Sequence, residues 1–353
     1  MRIGIYAPGL GVGPQSAPSA CLRQMCRELA ERDGIELTHL HHGHPVDWCH
    51  DLRVPRLPVQ CERKINEVGF DVVHFNTFVD MVSPALISAP TVLTYHGDVH
   101  WELPGVTGSR IGDFARRALE RSKIPQYDRV LTVSSDLGRR VRERYRRFGV
   151  DPITVYNGID HEQFTPSGRS TSDVSDVRTP YVLHVSNYTE KKNPEGILRA
   201  FARVNDVADA PLVICGRGWR TNTDIRELIT ALELDDRVTL TGYVSKEALI
   251  SLYQNAAMFL YPSLHESFGL PIVEAMACGT PVVTADRYAP PEIAGDAALT
   301  CNPTSPQEIA NCVRRILVDP NLAATLSERG IKRARTFSWN STVDRILRIY
   351  SRS

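Results

Sequence analysis

The sequence predicts an α/β protein made of two doubly wound parallel-sheet (Rossmann-like) domains, one after the other along the chain. Three observations predict it. Short apolar segments alternate with stretches whose apolar residues recur at helical spacing, which implies parallel strands covered on both faces. A chain of 353 residues is long for one hydrophobic core and comfortable for about two. A polar run bracketed by prolines, PSGRSTSDVSDVRTP at 166–180, separates the strand-bearing segments into two sets.

Strands are expected in the first set at 2–6, 35–40, 71–75, 91–96, 129–134 and 153–157. In the second they are expected at 181–186, 211–216, 237–242, 258–263, 281–286 and 297–301. Helical spacing occupies 195–206, 223–233, 245–255 and 306–318. We place the domains at 1–165 and 166–337. Ligands of such sheets bind at the carboxyl ends of the strands, so two domains facing each other would form a central cleft there.

Composition is ordinary for a soluble globular chain, with 42% hydrophobic and 23% charged residues. Lys plus Arg equal Asp plus Glu at 41 each, which argues against a nucleic-acid footprint. The balance hides a local excess: from Arg110 to Arg147 twelve basic residues face five acidic ones. An arginine run of this kind is either a solvated helix face or a dock for an anionic membrane surface. No apolar run approaches the roughly 18 residues of a membrane span. The start, MRIGIYAPG, reads as a strand and turn without the apolar region of a signal peptide, so a cytoplasmic protein, peripheral on the inner membrane face, is expected. The eight cysteines form no C-x-x-C pair and are expected as reduced buried thiols. The histidine run HLHHGHPVDWCH at 39–50 matches no ligand spacing, and no metal is expected there.

The chemistry concentrates in HESFGLPIVEAMACGTPVV at 265–283. Pro271 suits a helix's first turn, and the apolar residues after it demand burial. Glu266 and Glu274 thus flank a buried helix start, where a carboxylate needs a cation or hydrogen-bond donors. Either they balance the helix dipole and form a structural ion pair, or they accept hydrogen bonds from a bound polyol. Backbone N–H groups at Phe268, Gly269 and Leu270 would form an anion site. Lys191 and Lys192, in EKKNP after the first strand of the second domain, would bring positive charge to the same sheet mouth. The chain contains no D-x-D triplet, which weighs against a metal-bridged diphosphate. In PGLGVGPQ at 8–15, Gly11 and Gly13 permit either a tight turn or close approach to a ligand. His96 ends a first-domain strand, a place for a structural or a catalytic imidazole.

PSLHESFGLPIVEAMACGTPVV closely resembles the signature of the retaining glycosyltransferases of family four, whose fold is GT-B. VSSDLGRRVRERYRRFGVDPITVYNGIDHEQFTP, EKKNPEGILRAF and FSWNSTVDRILRIY are similar to the same family at matching places, so the resemblance covers nearly the whole chain. It implies a nucleotide-sugar donor whose ribose is held by Glu274. Glu266 and the backbone of Ser267, Phe268, Gly269 and Leu270 would hold the transferred sugar and distal phosphate, and Lys192 the leaving diphosphate. Tyr243 and Val244 would lie near the base, with Asn187, Lys191, Gly216 and the first-domain glycines completing the donor site. His96 would face the reacting sugar on the acceptor side. The segment 338–353 would form a helix that crosses back to the first domain. Hexosyl transfer to a sugar or lipid-linked acceptor, without cofactor or metal, follows from the same resemblance. Asn187 stands where the family often has arginine, and Lys191 keeps charge without a bidentate fork. Two other classes fit paired α/β domains: a non-catalytic sugar-nucleotide-binding subunit, and an NAD-dependent oxidoreductase, for which the glycine spacing is wrong.

Overall fold

The computed structural model describes residues 1–6, 17–41, 50–53, 58–77, 82–97, 99–103, 110–166, 177–204 and 210–352. They fall into two compact units, one of Met1–Gly158 with Ser338–Ser353 and one of Ile159–Phe337.

The first unit is built on a seven-stranded sheet. Its strands are β1 (Arg2–Tyr6), β2 (Glu36–His41), β3 (His50–Arg53), β4 (Val72–Phe75), β5 (Thr91–Tyr95), β6 (Arg129–Thr132) and β7 (Ile153–Thr154), in the order β3-β2-β1-β4-β5-β6-β7. Every pairing between them is parallel. Strand β3 reads His-Asp-Leu-Arg and carries no apolar alternation. Its pairing with β2, Thr38 opposite His50, makes it a strand where local pattern does not.

The second unit has six strands: β8 (Val182–Val185), β9 (Leu212–Cys215), β10 (Val238–Gly242), β11 (Met258–Tyr261), β12 (Val282–Ala285) and β13 (Ala298–Cys301). Their order is β10-β9-β8-β11-β12-β13, again parallel throughout. Strands β9, β11 and β12 are buried along their whole length, as expected of strands covered on both faces, whereas the edge strand β10 is half-buried. The sheet reverses its winding between β8 and β11, which places the loops after these two strands at the topological switch point.

The division between units falls seven residues before the expected boundary at 166. The reason is local bonding. Ile159 N–H donates to the Phe337 carbonyl at 3.1 Å, and the Thr165 carbonyl accepts from Gln254 Nε2 at 2.7 Å. Phe164 meets the Tyr253 ring edge-on at 6.3 Å. Residues 159–165 therefore belong to the second unit's packing, and most of the polar run expected as linker, 167–176, lies outside the described residues.

The last helix, Trp339–Tyr350, belongs to the first unit. Ser338 caps it by accepting from Ser341 N–H, and Val343, Ile346 and Tyr350 are buried. Thr342 Oγ1 donates to the Tyr156 carbonyl at 2.8 Å, and Arg32 pairs with Asp344 at 3.0 Å. Backbone contact fixes its first turn: a Cβ on Gly158 would lie 2.3 Å from Trp339 N. The seven described cysteines are buried, and Cys49 lies outside the described residues. Among the described residues no helix is long and apolar enough to cross a membrane.

Gly158→Ala is expected to cost at least about 3 kcal/mol, because backbone on one side and backbone on the other leave no atom free to yield. Gly149→Ala, at φ +71° with nothing within 4 Å of the new Cβ, should cost only about 1–2 kcal/mol. Chemical denaturation separates the two. Equal losses would contradict the docking of the last helix through Gly158.

Candidate functional site

The loops after β8 and β11 are built against each other. After β8 the chain makes one short turn, Glu190–Lys192, and Asn193 then enters the left-handed region at φ +62° to start the helix Pro194–Phe201. Asn193 is buried and its Nδ2 donates to the carbonyls of Pro262 and Pro303, at 3.0 and 2.6 Å. Leu264 N–H donates to the Lys191 carbonyl at 2.8 Å. These bonds lay the lysine turn alongside residues 262–266.

After β11, Gly269 takes φ +93° and starts the helix Leu270–Ala277, with Pro271 in its first turn. Glycine is required there, since a side chain would be strained and its Cβ would meet Ile272 at 2.8 Å. Ile272, Val273, Ala275, Met276 and Ala277 are buried, so the helix is fixed by its apolar faces. Phe268 packs edge-on against Phe337 at 5.7 Å, which leaves only its backbone for a ligand.

Glu266 and Glu274 sit on either side of this helix start in opposite electrostatic settings. The Glu266 carboxylate is buried; Lys192 Nζ donates to its Oε1 and to the Tyr261 hydroxyl, and that hydroxyl donates to Oε1 at 3.1 Å. Burial alone would raise the Glu266 carboxyl. The charges of Lys192 and Lys191, with the hydrogen bonds from Lys192 and Tyr261, outweigh it and hold the carboxyl at about 2. Burial in turn lowers Lys191, which Glu266 partly offsets. Glu274 forms no ion pair among the described residues. It accepts from the Tyr253 hydroxyl at 2.9 Å, and burial pushes it up to about 7 against that bond and the field of Lys246. The ion-pair expectation thus describes Glu266 and not Glu274.

The other expected donor residues line the neighbouring loops. Gly216 takes φ +141° with its backbone against Ser186, where a Cβ would lie 1.9 Å from the carbonyl oxygen. Asn187 is exposed and its Oδ1 accepts from Arg217 N–H at 3.1 Å, so it ties the β8 and β9 loops together. Tyr243 is 55% exposed under the Arg217 guanidinium, 4.7 Å from its ring centre, and Val244 is half-buried beside it. Gly11 and Gly13 lie outside the described residues. Sequence reasoning missed Tyr253, Tyr261, Asn193 and Arg217. Tyr261 was findable as the last residue of a strand that opens into the site.

His96 lies in the first unit, in a cavity of about 20 Å³ lined by Asn76, Thr94, Asn157, Trp339, Thr342 and neighbours. Its Nε2 is 3.2 Å from Asn76 Oδ1, and burial lowers it to about 4, so the imidazole is neutral at ordinary pH. It can exchange hydrogen bonds but brings no charge.

In the same unit the helix Arg110–Lys123 is inverted. Its buried residues are Asp113 and Glu120, while Ile111 is 83% and Phe114 73% exposed. Glu120 accepts from the Tyr95 hydroxyl, His100 Nε2 and Trp101 Nε1 at 2.8–2.9 Å; burial would raise it, yet these bonds hold it below the usual carboxylate range. The guanidinium groups of Arg117, Arg121 and Arg144 stack on Trp101. The rest of the basic run is less available than its charge count implies. Arg140 is buried in ion pairs with Asp136 and Glu102, Arg144 bonds Glu102 at 2.8 Å, and Arg142 bonds Asp151 at 2.8 Å.

The chain matches the family described as Glycosyl transferases group 1 over residues 171–333, and Glycosyltransferase Family 4 over residues 19–163. It is 33% identical over 173 residues to the O-antigen chain mannosyltransferase B of Escherichia coli, covering 48% of this chain and 45% of that one. It is 30% identical over 246 residues to the D-inositol 3-phosphate glycosyltransferase of Thermobifida fusca, covering 65% and 56%. The matched part spans about half the length of these curated relatives. Among solved structures, sucrose-phosphate synthase from Thermosynechococcus elongatus superposes with a TM-score of 0.79 at 21% identity, covering 99% of this chain and 98% of that one. Anabaena Alr3699/HepE in complex with UDP and glucose does so with 0.76 at 18%, covering all of both chains. At such identity the likeness concerns the fold, which is GT-B. With one family match on each half of the sequence, the chain belongs to the group 1 glycosyltransferases of family four.

Proposed function

We propose that this protein is a retaining glycosyltransferase that moves a hexose from a UDP- or GDP-linked donor to a sugar or lipid-linked acceptor in glycan or envelope polysaccharide synthesis, without a required metal. One observation carries the proposal: at the switch point of the second sheet, one glutamate is paired with a lysine and the other has no ion-pair partner among the described residues. A nucleotide sugar fits that asymmetry. Glu274 accepts hydrogen bonds from the two ribose hydroxyls, which replace the partners that burial denies it. Lys192 turns to the diphosphate, assisted by Lys191 and the amides of Ser267 to Leu270 at the helix start. Glu266 holds the hexose hydroxyls, Tyr243 and Val244 lie by the base, and Asn187 and Gly216 shape the loops around it. The relatives support the class, since one is named a mannosyltransferase and another acts, by its name, on inositol 3-phosphate. The HepE structure holds UDP and glucose.

In the reaction the bond from the anomeric carbon to the phosphate oxygen breaks, and its electron pair leaves with the diphosphate. The acceptor hydroxyl oxygen bonds to that carbon from the same face, and its proton passes to the departing phosphate. Lys192 stabilises the charge that develops on the leaving group. Neutral His96 hydrogen-bonds the reacting sugar and keeps its hydroxyls oriented. The family matches are to glycosyltransferases, which argues against an NAD-dependent oxidoreductase.

We assign the inverted helix Arg110–Lys123 to the acceptor side, as a dock on the anionic cytoplasmic face of a membrane. Ile111 and Phe114 would enter the interface while surrounding arginines meet lipid phosphates. The protein then works from the cytoplasm as a peripheral enzyme.

In an assay of sugar transfer, Lys192→Ala should lower kcat by about 100-fold or more, the usual cost of losing one charge-stabilising donor. Because that variant leaves Glu266 with less compensation, Lys192→Met with Glu266→Gln serves as the stable comparison and should be equally inactive. Wild-type kcat in Lys192→Ala would overturn the role. A product of inverted anomeric configuration by NMR would overturn retention, and a wild type without turnover would leave the non-catalytic subunit.

On vesicles rich in anionic lipid, the protein should cosediment at low salt, less so as salt rises. Replacing Ile111 and Phe114 by Asp should cut binding at least about tenfold. Wild-type protein that stays in the supernatant at low salt would contradict the dock.

A further inference from the structure

Tyr261 and Tyr253 divide the two glutamates between them: one phenol hydroxyl touches each carboxylate. Tyr253 serves Glu274 from the helix Lys246–Asn255 and, among the described residues, touches no cation of the site. Tyr261 occupies the last position of β11, and its hydroxyl contacts both members of the Lys192–Glu266 pair. Its ring is held without freedom: it is 1% exposed, stacks on Phe259 at 5.5 Å and on His184 at 5.7 Å, and lies under the Lys192 ammonium, 4.8 Å from the ring centre. His184 is itself fixed, with Nδ1 on the Leu260 carbonyl and Nε2 on Ser186 Oγ, both at 2.8 Å.

We propose that Tyr261 is a positioning residue that frees Lys192 for the donor's diphosphate by keeping Glu266 hydrogen-bonded when the lysine turns away. The proposal rests on the donor site described above. A buried carboxylate that loses its cation is costly, so Glu266 resists the departure of Lys192. The phenol already donates to Oε1, the same oxygen that Lys192 holds, and can keep that bond when the ammonium moves. Lys191 supplies field but no hydrogen bond to the carboxylate among the described contacts. Tyr261 thus lets one lysine serve two anions in succession. Without the hydroxyl, Glu266 holds Lys192 more tightly and the diphosphate competes for it.

The test is calorimetric titration with the nucleoside monophosphate and diphosphate of the base that the wild type prefers, on wild type, Tyr261→Phe and Tyr253→Phe. Both nucleotides use Glu274, but only the diphosphate needs the turned lysine. Tyr261→Phe keeps the ring packing and should lower the preference for diphosphate over monophosphate by about tenfold, with monophosphate affinity unchanged. Tyr253→Phe should weaken both nucleotides alike. A merely structural role for Tyr261 would also weaken both alike, leaving the preference intact, and that result would overturn the proposal. Tyr261→Met, which removes the hydroxyl with a differently shaped side chain, must show the same loss of preference. If wild type binds neither nucleotide, the donor site itself fails and Tyr261 with it. If wild type prefers the diphosphate and both Tyr261 variants keep that preference, only the present proposal falls.

Discussion

A carboxylate withdrawn from water must find a cation or enough donors, and the second unit is organised around two that meet this demand differently. Glu266 is satisfied within the protein by Lys192 and Tyr261. Glu274 is left with one phenol and an upward-shifted carboxyl. Their effects on stability have opposite signs. Glu266, held at about 2, contributes stability above the ordinary carboxylate value that is lost as pH falls through 2. Glu274, raised to about 7, favours the folded state below the ordinary value and gives that up as pH rises through 7. A site that spends stability near neutral pH to keep one acceptor under-satisfied is arranged for a ligand that supplies donors.

The scaffold explains how such a pair is kept in register. Parallel strands end on one edge of the sheet, and the reversal between β8 and β11 opens space for two loops side by side. Backbone geometry then does the fine placement. Left-handed Asn193 and Gly269 each launch a helix whose first turn faces the site. Gly216 lets the β9 loop come within backbone contact of the β8 loop. The first unit follows a different economy on its surface, where the helix Arg110–Lys123 buries its acids and presents its apolar residues outward.

Much of this was legible in the sequence, and the reasons for the exceptions are physical. Fully buried parallel strands such as Leu212–Cys215 and Val282–Ala285 announce themselves as apolar runs because both faces are covered. Strand β3 does not, because an edge strand of His-Asp-Leu-Arg owes its form to its partner. Glu266, Glu274 and Lys192 stood out by residue type, being charges set into apolar or helix-starting contexts. Tyr261 and Tyr253 did not, because a tyrosine in a strand or an apolar helix reads as core, and only the position of the hydroxyl reveals the second role. The arginines of 138–149 counted as a patch in one dimension, whereas folding pairs Arg140, Arg142 and Arg144 with nearby acids.

The central claim is that the Glu274 carboxylate accepts the ribose of a nucleotide-sugar donor. Calorimetric titration of UDP, GDP and ADP between pH 6 and pH 8, on wild type and on Glu274→Gln, tests it most directly. With its carboxyl at about 7, Glu274 must ionise to accept both hydroxyls, so across that range affinity for the preferred nucleotide should rise about tenfold more in wild type than in Glu274→Gln. Glu274→Gln should bind more weakly and keep only the smaller rise that comes from the nucleotide's own terminal phosphate, whose second ionisation lies at about 6. A flat wild-type profile, or an equal rise in Glu274→Gln, would contradict the account.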